Sequence, residues 1–159
     1  MTTTTAVTTT EPARYWFLGG RMTVLLSGDD TAGALNVIEQ ELPAGLATPL
    51  HVQPDDDETF VLLEGEIELW QEGERRAARA GQAVFVARGT RHAFRVVSDG
   101  VRLISFGTPA GHEHFFALGG APAPEGSTPP DGPLDMARMA QAAAAARVEL
   151  LGPPPFADA

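Results

Sequence analysis

Four side chains in the middle of the chain carry donor atoms at spacings that could build a metal site: His51, Gln53, Glu58 and His92. On an extended strand side chains alternate between faces, so His51 and Gln53 point one way and Val52 the other. Glu58 opens the next apolar run, whose Phe60 and Leu62 share its face, and His92 opens a third. Imidazole with carboxylate suits Fe, Mn, Co, Ni or Zn better than Mg or Ca, so a divalent transition metal is the expected cofactor. An amide oxygen is a weaker donor than imidazole nitrogen, which leaves Gln53 either as a weak fourth ligand or as a hydrogen-bonding neighbour. Glu58 is open to two roles as well, ligand or general base. An apolar wall of Phe60 and Leu62 would raise the pKa of a carboxyl group toward the working pH. The competing reading is a polar pocket that takes a small molecule without metal. A buried Glu lacking a partner is costly, which favours the metal.

These residues fall in two segments. The first runs Gly45, five residues, His51, Val52, Gln53, four residues, Glu58, six residues, Gly65; the second runs Gly81, five residues, Ala87, Arg88, Gly89, two residues, His92. Together they resemble the two motifs of the cupin superfamily. That pattern has His at position 53, Pro at 87 and often Asn at 96, where this chain has Gln, Ala and Val. The resemblance implies an all-β jelly-roll barrel with His51, His92, Glu58 and position 53 as metal ligands. The stretch Pro109 to Glu113 and the segment after it resemble the small bacterial cupins called quercetin dioxygenase-like. By that resemblance the expected activity is dioxygenation of an aromatic or enol-bearing compound, with Glu58 taking the hydroxyl proton. The alternatives are a non-oxidative metal-dependent cyclase, isomerase or lyase, and a metal-free binding protein. Cupins commonly pair as homodimers through edge strands or exchanged N-terminal segments, so a homodimer is implied too.

The elements that must position these groups are short apolar runs between Gly, Pro and Asp: Met22 to Leu26, Ala34 to Leu42, Thr59 to Leu63, Ile67 to Trp70, Ala83 to Val86, His92 to Val97 and Val101 to Phe106. Such spacing predicts a β-sandwich or barrel, and a jelly roll accounts for the order. Glu64-Gly65, Glu72-Gly73-Glu74 and Arg88-Gly89-Thr90 are expected corners. The barrel is expected over residues 15–120. A Thr-rich arm, loosely held, precedes it over residues 1–14, and residues 121–159 form a connector and a C-terminal helix. The connector holds five Pro in the thirteen residues 121–133, an extended composition expected to stay out of the core. Leu134 to Leu150 reads as a helix starting at Asp131 or Asp135, since its Ala run has high helix propensity.

With 159 residues the chain fits one domain large enough for a core without disulfides. There is no Cys, so thiolate ligation and thiol redox chemistry are excluded. A formal charge of −10 repels phosphate backbones and anionic membranes, which argues against nucleic-acid and membrane partners and for a small-molecule substrate. No leader-like or membrane-spanning stretch stands out, so a cytoplasmic location is the expectation. His112 and His114 are read as surface or pocket-rim residues and Asp55, Asp56 and Asp57 as a solvated turn. Arg75, Arg76 and Arg79 read as the charge of an edge strand.

Overall fold

A computed structural model describes residues 11–157. Two antiparallel sheets face one another. Their strands are β1 (Ala13–Phe17), β2 (Gly20–Leu26), β3 (Asn36–Pro43), β4 (Leu50–Val52), β5 (Asp57–Glu64), β6 (Glu66–Gln71), β7 (Glu74–Arg79), β8 (Ala83–Val86), β9 (His92–Val96), β10 (Gly100–Thr108), β11 (Ala121–Pro122) and β12 (Glu149–Gly152), with α1 (Glu113–Gly119) and α2 (Met136–Ala145) between the later ones. One sheet has the order β11-β1-β2-β3-β10-β5-β8, the other β12-β4-β9-β6-β7. This is a jelly-roll barrel with a C-terminal helix.

Alternation in the sequence drives the packing. On β3, Asn36, Ile38, Gln40 and Leu42 are buried while Val37, Glu39 and Glu41 are half-buried; on β10 the buried set is Val101, Leu103, Ser105 and Gly107. Period-2 burial of this kind places one face of each strand between the sheets. Ile38, Phe60, Leu62, Ile67 and Leu103 are the most enclosed of that layer. Its polar members pair with one another, Gln40 Nε2 donating to Ser105 Oγ at 3.0 Å. The hairpin between β5 and β6 turns at Gly65, which has φ +81. A Cβ there would lie 2.1 Å from Gly100 O, so no other residue fits.

The expected runs lie on strands except for Ala34 and Leu35 before β3 and Val97 after β9, and the arginine-bearing segment is β7, an edge of its sheet. Three expectations need correction. Residues 1–10 of the Thr-rich arm lie outside the described residues, but its last two, Ala13 and Arg14, already pair with Val24 and Thr23 of β2. The helix is shorter than Leu134 to Leu150. Asp135 caps it, accepting from Arg138 N at 2.9 Å, and it stops at Ala145. Arg147 then turns with φ 57 and Glu149–Gly152 pairs with β4. Leu150 and Leu151 fit a strand once an open edge is beside them, and the Ala run that favours helix has ended. The connector is not wholly outside the core, because Ala123 is buried beside β1, its N–H bonded to Arg14 O.

The segment after β10 closes one end of the barrel. Phe115 and Phe116 of α1 pack edge-on against Phe17, at centroid distances of 5.0 and 5.1 Å. Met139, Ala142 and Ala143 of α2 are buried beneath the same cap. No helix among the described residues is long and apolar enough to cross a membrane.

Candidate metal centre

Antiparallel β4 and β9 set His51 opposite His92, with ring centroids 4.2 Å apart. Glu58 comes from the other sheet, where β5 is held between β10 and β8 by pairing with Gly107 and Val86. The centre therefore bridges the two sheets. One ligand atom from each of His51, Glu58 and His92 lies within 4.8 Å of the others, and His92 Nε2 stands 3.4 Å from Glu58 Oε2.

Both rings are oriented by the chain just before them. His51 Nδ1 lies 2.8 Å from Pro49 O and His92 Nδ1 lies 2.9 Å from Thr90 O. A carbonyl oxygen only accepts, so each Nδ1 carries a proton and, in the neutral ring, Nε2 keeps the lone pair. This is how ligating histidines are held.

Electrostatics agree with this arrangement at His51 and Glu58. Burial, and next the charge of His92, push His51 down to about 4, so it is neutral near pH 7. Burial alone would raise Glu58, but its contact with His92 and the facing His112 and His51 carry it below the ordinary carboxylate value. The expected upward shift from the apolar wall is thus reversed: Phe60 and Leu62 are there and buried, and three imidazoles outweigh them. Burial depresses His92, and the Glu58 carboxylate more than compensates, leaving it raised.

The structure fits a divalent transition metal. Two imidazole lone pairs and an ionised carboxylate converge, and His92 Nε2 is a buried nitrogen with no hydrogen-bond partner among the described residues.

Gln53 is 2 % exposed and directly follows β4. Its Nε2 donates to Asp56 Oδ2 at 2.8 Å and lies 3.1 Å from His112 Nδ1. Its Oε1 is buried without a partner.

His112 was expected at the surface or pocket rim, and the surface half is corrected: it is 7 % exposed and lines the cavity, with Nε2 4.0 Å from Glu58 Oε1. Its backbone is fixed by the next residue. Glu113 accepts from Gly28 N, Asn36 Nδ2 and Gly111 N at 2.7, 2.6 and 2.8 Å. Nothing in local spacing marks His112 as a site residue; its pairing with His114 was the only signal, and His114 is exposed.

The acidic run is likewise more than a solvated turn. Asp57 begins β5 and takes Arg88 by its backbone N–H at 2.8 Å and by its guanidinium at 3.1 and 2.9 Å. That fork holds Asp57 down to about 2 and ties the second motif beside Glu58. Burial, and next the charge of Glu58, raise Asp56. Asp55 pairs with Arg147 at 2.6 Å.

A cavity of about 50 Å³ lies over the centre. Its walls include His51, Glu58, His112, Phe60, Phe94 and Phe116.

The family described as Cupin domain matches residues 38–106. Quercetin 2,3-dioxygenase of Bacillus subtilis is 31 % identical over 143 residues, 89 % of this chain. The chain spans 42 % of that relative's length. Among solved structures, an RmlC-like cupin from Shewanella frigidimarina superposes with a TM-score of 0.56 at 18 % identity, covering 65 % of this chain and 88 % of the other. KdgF from Halomonas sp. does so with a TM-score of 0.54 at 18 % identity, covering 60 % and 84 %. At such identities the superpositions speak for the fold alone. The family match begins on β3 and ends on β10, spanning the strands that gather the two histidines and the glutamate, and this part of the chain is a cupin domain.

Proposed function

We propose that the protein is a metal-dependent cupin enzyme, a quercetinase-like dioxygenase acting on an aromatic or enol-bearing small molecule. One observation carries the metal: His51 and His92 are both locked with Nδ1–H on a backbone carbonyl, so both Nε2 lone pairs are available beside the Glu58 carboxylate. The quercetin dioxygenase relative supports the reaction class.

His51, Glu58 and His92 would hold the metal. When bound, a redox-active divalent metal supplies a Lewis-acid centre and a place for dioxygen, the oxidant of the reaction. The protein supplies the rest. Glu58, ionised before substrate arrives, takes the proton of an enol or phenol hydroxyl and leaves the substrate oxygen anionic. Phe60 and Phe94, edge-to-face at 5.4 Å, and Phe115 and Phe116 of the cap give a flat ring apolar walls and keep water out. A homodimer through the edge strands belongs to the same reading. Edge strand β8 presents Phe85, which is 60 % exposed.

The cavity favours a second reading alongside. At about 50 Å³ it is far below the roughly 300 Å³ or more of drug-sized sites. A small enolisable carbonyl compound fits it better than a flavonol, unless the α1–α2 cap moves. Non-oxidative isomerisation, cyclisation or elimination would use the same centre and the same Glu58.

The test is metal content by elemental analysis, followed by oxygen uptake over a panel of flavonols and small diketones. Near-stoichiometric metal with oxygen uptake is expected. Full metal without oxygen uptake moves the reading to non-oxidative chemistry. Failure to hold metal after reconstitution overturns it. His92→Ala is expected to weaken metal binding by more than roughly 100-fold, because even neighbours that only orient a ligand are worth 10- to 100-fold; a variant with full metal content would remove His92 from the centre.

A further inference from the structure

His112 lies outside both motifs, and the reading above gives it no task. Gln53 stands where the cupin pattern has a ligand histidine, yet its amide nitrogen is committed elsewhere, to Asp56 Oδ2 at 2.8 Å and His112 Nδ1 at 3.1 Å. A carboxylate only accepts, so the Asp56 contact fixes which end of the amide is nitrogen. The same nitrogen then presents an N–H to His112 Nδ1, and two donors cannot face one another. Nδ1 must hold the lone pair. The proton of the neutral ring therefore sits on Nε2, 4.0 Å from Glu58 Oε1, in a residue that lines the cavity. This is the opposite tautomer to His51 and His92, whose Nδ1 atoms face carbonyls. A ring nitrogen that carries a proton cannot ligate a metal.

We infer that His112 is the hydrogen-bond donor of the pocket and not a metal ligand, and that Gln53, braced by Asp56, is the positioning residue that sets its tautomer. The ligand chemistry it fits is an enolate or carbonyl oxygen lying beside Glu58, where developing negative charge meets a donor already in place. Edge-on packing against Phe116, at 5.1 Å and 87°, holds the ring plane. The substrate half of this inference rests on the proposed enzyme reading. The tautomer half does not.

The experiment is two-bond proton–nitrogen NMR on the full chain with ¹⁵N-labelled histidine rings, metal-free and zinc-loaded. We expect Nδ1–H rings at His51 and His92 and an Nε2–H ring at His112, with zinc shifting Nε2 of the first two only. An Nδ1–H ring at His112, or an Nε2 resonance that moves with zinc, overturns the assignment and makes His112 a ligand. Gln53→Met is expected to keep the zinc stoichiometry and lose the single tautomer of His112; loss of zinc would overturn the positioning role. The donor role is read with pentane-2,4-dione, a small enolisable probe, titrated into the zinc protein. His112→Phe should weaken its binding about tenfold, and His112→Gln, which keeps an N–H, by no more than about threefold. Equal binding by His112→Phe, or none by the parent chain, overturns the substrate half. A failed oxygen-uptake assay leaves the NMR result standing, so the two readings fail separately.

Discussion

His51 and His92 share a device, a ring whose Nδ1 is tied to the carbonyl two residues earlier in the chain. It needs no distant partner, so it survives wherever the strand starts intact. Gln53 is the contrasting case, because its hydrogen bonds reach His112, fifty-nine positions away. Its chemistry is set by what packs over it. Restoring the family residue tests how position 53 relates to the metal: Gln53→His adds an imidazole nitrogen donor just past β4, and zinc affinity is expected to rise about tenfold. Competition titration against a chromogenic chelator reads it. Unchanged affinity would mean that the side chain at 53 does not reach the ion.

Among the elements, the β5–β6 hairpin is the most constrained, and it aligns the strand that carries Glu58. Gly65 has φ +81, and an added Cβ would lie 2.1 Å from Gly100 O, 2.7 Å from Ser98 Oγ and 2.9 Å from Val101 Cγ2. Ser98 Oγ accepts from Glu66 N at 2.9 Å and donates to Gly100 O at 2.8 Å, so the neighbouring backbone is pinned. Gly65→Ala is expected to lower stability by roughly 3 kcal/mol or more, as strain and steric overlap combine. Urea unfolding measures it, and a loss below about 1 kcal/mol would show that the turn can relax. At the opposite end of the chain β12 pairs with β4, Leu150 opposite His51. The C-terminal segment thus continues the sheet that carries both histidines.

For the whole molecule, the joint between barrel and cap is a buried carboxylate. Glu113, 5 % exposed, links the β2–β3 loop at Gly28, β3 at Asn36 and the loop at Gly111 to the start of α1. Burial pushes its pKa up, but those donors, Gly28 first, bring it below the ordinary 4.5. A folded-state pKa below the unfolded one gives stability that is full above about 4.5 and lost as pH falls through the lower folded value. Glu113→Ala orphans several buried donors and is expected to cost about 2–4 kcal/mol at pH 7. The variant's deficit should shrink in acid, because the parent loses the same bonds there. Thermal unfolding from pH 7 to pH 3 follows it. A deficit that stays constant over that range would mean that the pKa of Glu113 does not change on folding.

Much of this was legible beforehand. Alternation on β3, β5 and β10 and glycine at Gly65 are local signals, since backbone sterics and a period of two act within a few residues, and they pointed to a β-sandwich or barrel. The motif residues, through their resemblance to the cupin pattern, singled out His51, Gln53, Glu58 and His92, and the structure gathers the ligand atoms of His51, Glu58 and His92. What tertiary structure decided lies where partners are far apart in sequence. His112 reaches the pocket only because Glu113 is anchored on two distant segments, at Gly28 and Asn36. Gln53 becomes a donor to it only because both are buried together. Glu58 is pulled down and not up because three imidazoles face it, a sum of fields that no window of sequence contains. Leu150 is strand and not helix because β4 offers an open edge, and β1 forms for the same reason beside β2. Propensity is a property of the residue, whereas the pairing that overrides it belongs to the assembled molecule.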